Sequence, residues 1–178
     1  GFRHFFFKNE VKSLEDLKGL KIRVSADPVM TGMVSNLGAA ATTVPFTELY
    51  SALNTGVVDG AEQPTANYYS GAFPEVAPYL LLDGHTLGAL QIIITDNAWN
   101  KLNEQQQGWI MEGAKHASAV CREKVAAIEA ETFEKLAADG RYVIEVTDKA
   151  PWVEACQPTI KANTAALADL YQQILDMQ

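Results

Sequence analysis

The pattern of apolar and polar positions begins with aromatic alternation, Phe2, His4 and Phe6 on one side and Arg3, Phe5 and Phe7 on the other. That is the period of a strand, with Arg3 opposite His4 and aromatic rings on both faces, so burial on both sides is expected. Ser13 with an acid three residues later, Asp16, is a near capping box that opens a short helix ending at Gly19. Leu20, Ile22 and Val24 then alternate with Lys21 and Arg23, a half-buried strand whose second face is left for polar side chains. Asp27 followed by Pro28 starts a helix carrying Met30, Met33, Val34 and Leu37 inward to Gly38; spacing of this kind makes the methionines core filler. Residues 41–44 form a short strand, Pro45 breaks it, and Thr47 caps a helix with Leu49, Ala52 and Leu53 inward and Gly56 at its end.

The stretch 57–64 reads as a turn entering a strand, with Pro64 launching a helix around residues 67–73. Two apolar runs follow, 79–83 and 87–95, the second with Ile92, Ile93 and Ile94 in the continuous β-branched sequence of a fully covered strand, and His85 in the connection between them. From about 103 to 138 no proline occurs, and Trp109, Ile110, Ala117, Val120, Ile128, Phe133 and Leu136 keep helical spacing. A helix of that length reaches roughly 50 Å and braces more than one layer. Gly140 ends it, 142–146 alternate as a strand, and 151–178 supply one or two terminal amphipathic helices. Strands alternating with helices make the fold class α/β.

A chain of 178 residues with 48% apolar and 20% charged positions can bury an ordinary globular core. A net charge of −8 without a basic cluster argues against nucleic acid and against anionic membrane surfaces as partners. The first residues lack an initiator Met and any signal-peptide pattern, so a fragment or mature segment is expected. Cys121 and Cys156 are too sparse for a disulfide framework and are expected to be buried thiols; His4, His85 and His116 lack the spacing of a zinc site. No P-loop, dinucleotide fingerprint, nucleophile elbow or HExxH is present, and His116 and Cys121 fall on different helix faces. These absences lead to an expectation of no catalysis, no cofactor and no metal.

The charge pattern singles out Arg23. After it no Lys or Arg occurs before Lys101, although Asp27, Glu48, Asp59, Glu62, Asp83 and Asp96 lie in between. A strand-mounted guanidinium in an otherwise cation-free stretch fits bidentate recognition of an organic carboxylate, and it equally fits a structural salt bridge to one of those acids. Asp59, Glu62 and Gln63 become candidates by position, because ligands of open α/β sheets bind beyond the carboxyl ends of strands.

Taken together, Gly1-Phe2-Arg3, the segment 14–24 (LEDLKGLKIRV), the segment 45–60 (PFTELYSALNTGVVDG) and Glu62-Gln63-Pro64 closely resemble the solute-binding proteins of TRAP transporters, the DctP-like family. The resemblance covers essentially the whole chain and about the second half of a typical member. It implies a periplasmic-binding-protein-like (type II) lobe, a mixed sheet flanked by helices with one long bracing helix. It also implies a periplasmic protein that captures an organic acid, whether dicarboxylate, sugar acid, keto acid or sialic-acid-like, and delivers it to TRAP membrane permease subunits. Carried over by position, the resemblance makes Arg23 the partner of the ligand carboxylate, Arg3 a second arginine beside it and Phe46 an aromatic packed on the ligand. Gln63 stands where many members have Asn, so its longer amide changes the geometry. An acid facing an anion would repel it, so Glu62 is expected to orient an arginine rather than touch the ligand. Asn67, Tyr68 and His85 are further candidates for lining the pocket. An extracytoplasmic sensing domain of a signalling protein would use the same pocket. With half of the fold's partner surface absent, self-association through exposed apolar area is expected.

Overall fold

A computed structural model describes residues 1–177. Six strands form one mixed sheet in the order β3-β2-β4-β1-β5-β6, with β1 at Phe2–Phe7, β2 at Lys21–Val24, β3 at Ala40–Thr43, β4 at Gly60–Pro64, β5 at Tyr79–Leu87 and β6 at Tyr142–Glu145. β2 runs parallel to β3 and to β4, and β5 runs parallel to β6, while β1 lies antiparallel between β4 and β5. The helices are α1 (Leu14–Leu17), α2 (Pro28–Asn36), α3 (Leu49–Thr55), α4 (Thr65–Ser70), α5 (Asp96–Trp99), α6 (Glu104–Ala138), α7 (Ala150–Thr164) and α8 (Ala168–Leu175).

The aromatic alternation of β1 is what builds a core on each side of the sheet. Phe5 and Phe7 join Ile22, Val24 and Leu81 with Met30, Met33 and Val34 of α2 on one face, whereas Phe6 joins Ala61 and Leu80 with Leu49, Leu53, Tyr68 and Leu136 on the other. Each such side chain contributes about 1.5–3 kcal/mol by leaving water, so three successive phenylalanines secure a strand that has no polar face of its own. Gly60 is required where β4 meets β1, since a Cβ there would lie 2.5 Å from Phe7 Cδ1 and 2.7 Å from the Phe6 carbonyl.

Local signals in the sequence set the element ends. Asp27 caps α2 by accepting the Val29 N–H at 2.8 Å, and Asp16 accepts the Ser13 N–H at 2.9 Å ahead of α1. α6 opens on a reciprocal box in which Asn103 and Gln106 each accept the other's backbone N–H, and it runs through Gly108 and Gly113 without a break. Thr47 does not cap α3, because it lies inside a short 3₁₀ turn that precedes the helix.

Three expectations are corrected. The apolar run 79–95 is not two strands joined at His85: β5 continues through His85 to Leu87, and residues 88–95 join no sheet. Their β-branched composition favours a strand, but propensity needs a pairing partner, and these residues pair with no strand among the described residues, Leu90 and Ile93 standing 92% and 84% exposed. Cys121 is exposed on α6 rather than buried, and Cys156 is half-buried; both are free thiols. Asp59 sits at the start of β4, where its carboxylate accepts the Lys21 N–H at 2.8 Å, so it joins two strands at the edge away from the strand ends.

Candidate functional site

The topology brings the carboxyl ends of β2, β3 and β4 to one edge of the sheet. β1 is antiparallel to β4 with Arg3 opposite Pro64, so its first residues reach the same edge. Arg23, Gln63, Glu62 and Arg3 therefore converge there, and Phe46 follows just beyond the end of β3. Alternation sorts them by face. Ile22 and Val24 point into the α2 side, which leaves Arg23 on the other side together with Ala61 and Gln63, while Glu62 pairs with Phe5 on the α2 side.

Arg23 is only 4% exposed, and its Nε donates to the Val44 carbonyl at 2.8 Å. No carboxylate lies within salt-bridge distance of it among the described residues, and no other hydrogen bond of its guanidinium is found there. The structural salt bridge that the charge pattern allowed is thus not formed. Burial lowers its pKa while the charge of Glu62 raises it and that of Arg3 lowers it, yet a guanidinium remains cationic throughout. Held at Nε, the guanidinium leaves both Nη groups without a protein partner among the described residues, yet neither is a buried orphan, so they stay open to an incoming anion.

Arg3 is differently placed. Its Nε and Nη2 engage both oxygens of the Glu62 carboxylate, the Nη2 contact at 2.9 Å, and Nη2 also reaches the Glu62 carbonyl at 3.3 Å. Glu62 is fully buried. Burial by itself would raise its carboxyl, but His85 and Arg3 outweigh burial and hold it below the usual range. Since His85 Nε2 is 3.6 Å from Glu62 Oε2, beyond hydrogen-bond length, that influence is electrostatic.

His85 owes its place to the backbone. Between the pairs Phe5–Leu81 and Arg3–Thr86, His4 alone on β1 stands opposite Leu82, Asp83, Gly84 and His85, and Gly84 adopts φ +60° in this bulge. Asp83 and His85, two residues apart, point to one side by ordinary strand alternation, where Nδ1 meets Asp83 Oδ2 at 2.5 Å and the ring stacks on Phe5 at 4.4 Å. Sequence reasoning missed this pair. The Asp83-Gly84-His85 triplet inside a strand-like run carried the signal, since a lone glycine in a strand marks a bulge.

Phe46 is 49% exposed and packs edge-on against Phe73 at 5.9 Å, leaving part of its ring open. Gln63 is buried and its amide makes no hydrogen bond among the described residues. Tyr68 lies wholly in the core and donates its hydroxyl to the Ala77 carbonyl at 2.8 Å, so it does not line a pocket; Asn67 on the same helix is exposed. A cavity of about 370 Å³ lies elsewhere, between α2 and α7, walled by Met30, Met33, Trp152, Val153 and Ile160 and reached by Asp83 and His85. None of Arg3, Arg23, Phe46 and Gln63 borders it. Uncommitted charge, not cavity size, marks the candidate site. No cluster of ligating side chains suited to a metal ion occurs among the described residues, and no helix there is long and apolar enough to cross a membrane.

Comparison with known proteins places this geometry in a family. The model for bacterial extracellular solute-binding protein, family 7, matches residues 1–166. A solute-binding protein of Verminephrobacter eiseniae is 33% identical over 159 residues, 89% of this chain and 48% of that protein. The sialic acid-binding periplasmic protein SiaP of Vibrio cholerae is 31% identical over 163 residues, 90% of this chain and 50% of that protein. The chain thus spans about half the length of the curated relatives it matches. Among solved structures, a TRAP periplasmic solute binding protein from Pseudomonas putida F1 with bound D-glucuronate aligns with a TM-score of 0.91 at 35% identity, over 98% of this chain and 56% of that one. One from Bradyrhizobium with bound α/β-D-galacturonate aligns with a TM-score of 0.90 at 32% identity, over 99% of this chain and 60% of that one. With the sheet, the long helix and the matched residues all in agreement, the chain belongs to the DctP family of bacterial extracellular solute-binding proteins.

Proposed function

We propose that this chain is one lobe of a two-lobed periplasmic solute-binding protein that captures an organic acid anion and hands it to the membrane permease of a TRAP transporter. One observation carries the reading: Arg23 is buried, anchored at Nε by Val44, and has no anionic partner among the described residues. A ligand carboxylate supplies what is missing, two oxygens spaced for the two free Nη donors. Arg3, braced by Glu62, adds positive charge beside it. The amide of Gln63 offers a neutral hydrogen bond, and the open face of Phe46 packs on the ligand's carbon skeleton.

The solute is a sugar acid, of the hexuronate class that the Pseudomonas and Bradyrhizobium proteins hold. Such a ligand has one carboxylate for Arg23 and a ring for Phe46, with hydroxyls left for a facing lobe. Binding without bond rearrangement is all that this group of residues does; nothing in it activates a nucleophile or a water. The test is a thermal-shift panel of the chain against D-glucuronate, D-galacturonate, C4-dicarboxylates, keto acids and neutral sugars. The expected result is stabilisation by hexuronates and none by the neutral sugars. Stabilisation by neutral sugars as strong as by their acids removes the arginine–carboxylate reading.

A further inference from the structure

The polar cluster beneath Arg3 holds more charge than one braced arginine requires. His85 is clamped on its face by Phe5 and at Nδ1 by Asp83, while Nε2 is buried, without a hydrogen-bond partner among the described residues, and 3.6 Å from Glu62 Oε2. Asp83 is itself fixed, its Oδ1 accepting the Phe5 N–H at 3.1 Å. A neutral imidazole with its proton on Nδ1 would turn a lone pair toward the Glu62 carboxylate. A protonated one offers positive charge to both acids at once.

We propose that His85 is a proton-linked positioning residue for the solute site: protonated, it neutralises Asp83 and supports Glu62 under Arg3, which leaves Arg23 free to be balanced by an anionic solute. The proposal rests on the solute-binding reading above. With His85 charged, three cations, Arg3, His85 and Arg23, stand against the two acids Glu62 and Asp83; Arg23 lies on the other face of the sheet, where the charges of Glu62 and Arg3 still reach it, and the surplus of one positive charge is what a monocarboxylate cancels. With His85 neutral the same cluster is balanced before any ligand arrives, so the anion gains less. Affinity for an acid is therefore higher on the acidic side of the His85 titration and falls as pH rises through it.

The other groups around the imidazole do not supply this switch. His4 on β1 lies 3.8 Å from Asp83 Oδ1, but its Nδ1 accepts the Gly84 N–H at 3.0 Å and is thereby committed to the backbone. Lys149, just ahead of α7, approaches Gly84 rather than the imidazole. The Cys156 thiol of α7 is pushed up by burial and by Asp83, and so stays neutral. Arg3 and Arg23 are always cationic. Burial would lower the imidazole, yet Asp83 and Glu62 hold it above its ordinary value of 6.5, while burial of the two acids is outweighed by their partners and both stay ionised.

Two measurements on the chain test this. In ligand-free protein, nitrogen-15 NMR follows the His85 ring and the Arg3 Nε–H across about pH 5.5 to 8.5; the two should share one midpoint, and the Arg3 shift should vanish in His85→Gln. Independent midpoints overturn the proposal. Calorimetric titration with D-glucuronate in two buffers of different ionisation enthalpy should show proton uptake and a wild-type Kd that rises about fivefold or more over that range, with neither effect in His85→Gln. A pH-independent wild-type Kd, or an unchanged slope in His85→Gln, overturns it as well. Failure of the wild type to bind D-glucuronate at any pH counts against the hexuronate reading instead, and the NMR midpoints then decide for or against His85.

Discussion

Arg23 and Arg3 illustrate how position decides what an arginine does. Both stand at one sheet edge, yet among the described residues Arg3 is paired with a fully buried acid and Arg23 with a backbone carbonyl alone. Beneath them, the titration of Asp83, Glu62 and His85 sets a pH window for stability. Asp83 and Glu62 are held below their ordinary values of 3.8 and 4.5, so their contribution is present above those values and is lost as pH falls through the folded values. His85 is held above 6.5, so its contribution is complete below 6.5 and is lost as pH rises through its folded value. Melting temperature should accordingly be flat between about pH 5 and 6.5 and decline on either side. In His85→Gln the alkaline decline should shrink while the acidic one persists. An unchanged alkaline limb in that variant would place its origin outside this cluster.

At the scale of elements, the most informative positions are those where backbone and side chain were both under constraint. Gly60 lets β4 approach Phe6 and Phe7, and Gly60→Ala should cost about 1–3 kcal/mol in urea unfolding because the Phe6 carbonyl cannot turn aside. Asp27→Ala should cost about 1 kcal/mol through loss of the α2 cap, with no change in the shape of the transition. Much of this scaffold was legible in the sequence, because caps, glycine stops and the alternation in β1 and β2 are local. The placing of Arg23 on a polar strand face was legible for the same reason. The Asp83–His85 pair was not, since the apolar pattern breaks at His85, and only pairing with β1 carries β5 through to Leu87 and sets the two residues in one strand. Nor was the fate of residues 88–95, whose strand propensity meets no pairing partner among the described residues. The resemblance named Arg3 and Glu62 separately; their mutual hydrogen bonds follow from the β1–β4 register, which no local pattern reveals.

For the molecule as a whole, the sheet is packed on both faces, while α6 buries only Thr132 and Leu136 and carries Trp109, Met111 and Ile128 exposed. With Leu90, Ile92 and Ile93 alongside in sequence, this is apolar area of a kind that recruits partners. Light scattering of the chain should therefore show mass rising with concentration, and a strict monomer at high concentration would contradict that expectation. The grip of Arg23 on a solute carboxylate is read out by calorimetric titration of D-glucuronate into wild type, Arg23→Ala and Arg23→Lys, with ligand-free melting curves for each. Truncating one partner of a desolvated charge pair typically costs about 2–5 kcal/mol, so Arg23→Ala should lose nearly all affinity. Arg23→Lys should lose much of it, because an ammonium keeps the charge without the planar pair of donors. Both variants should melt near the wild-type temperature, since no carboxylate among the described residues depends on Arg23. Wild-type affinity in Arg23→Ala, or a large fall in melting temperature with binding intact, would contradict the account.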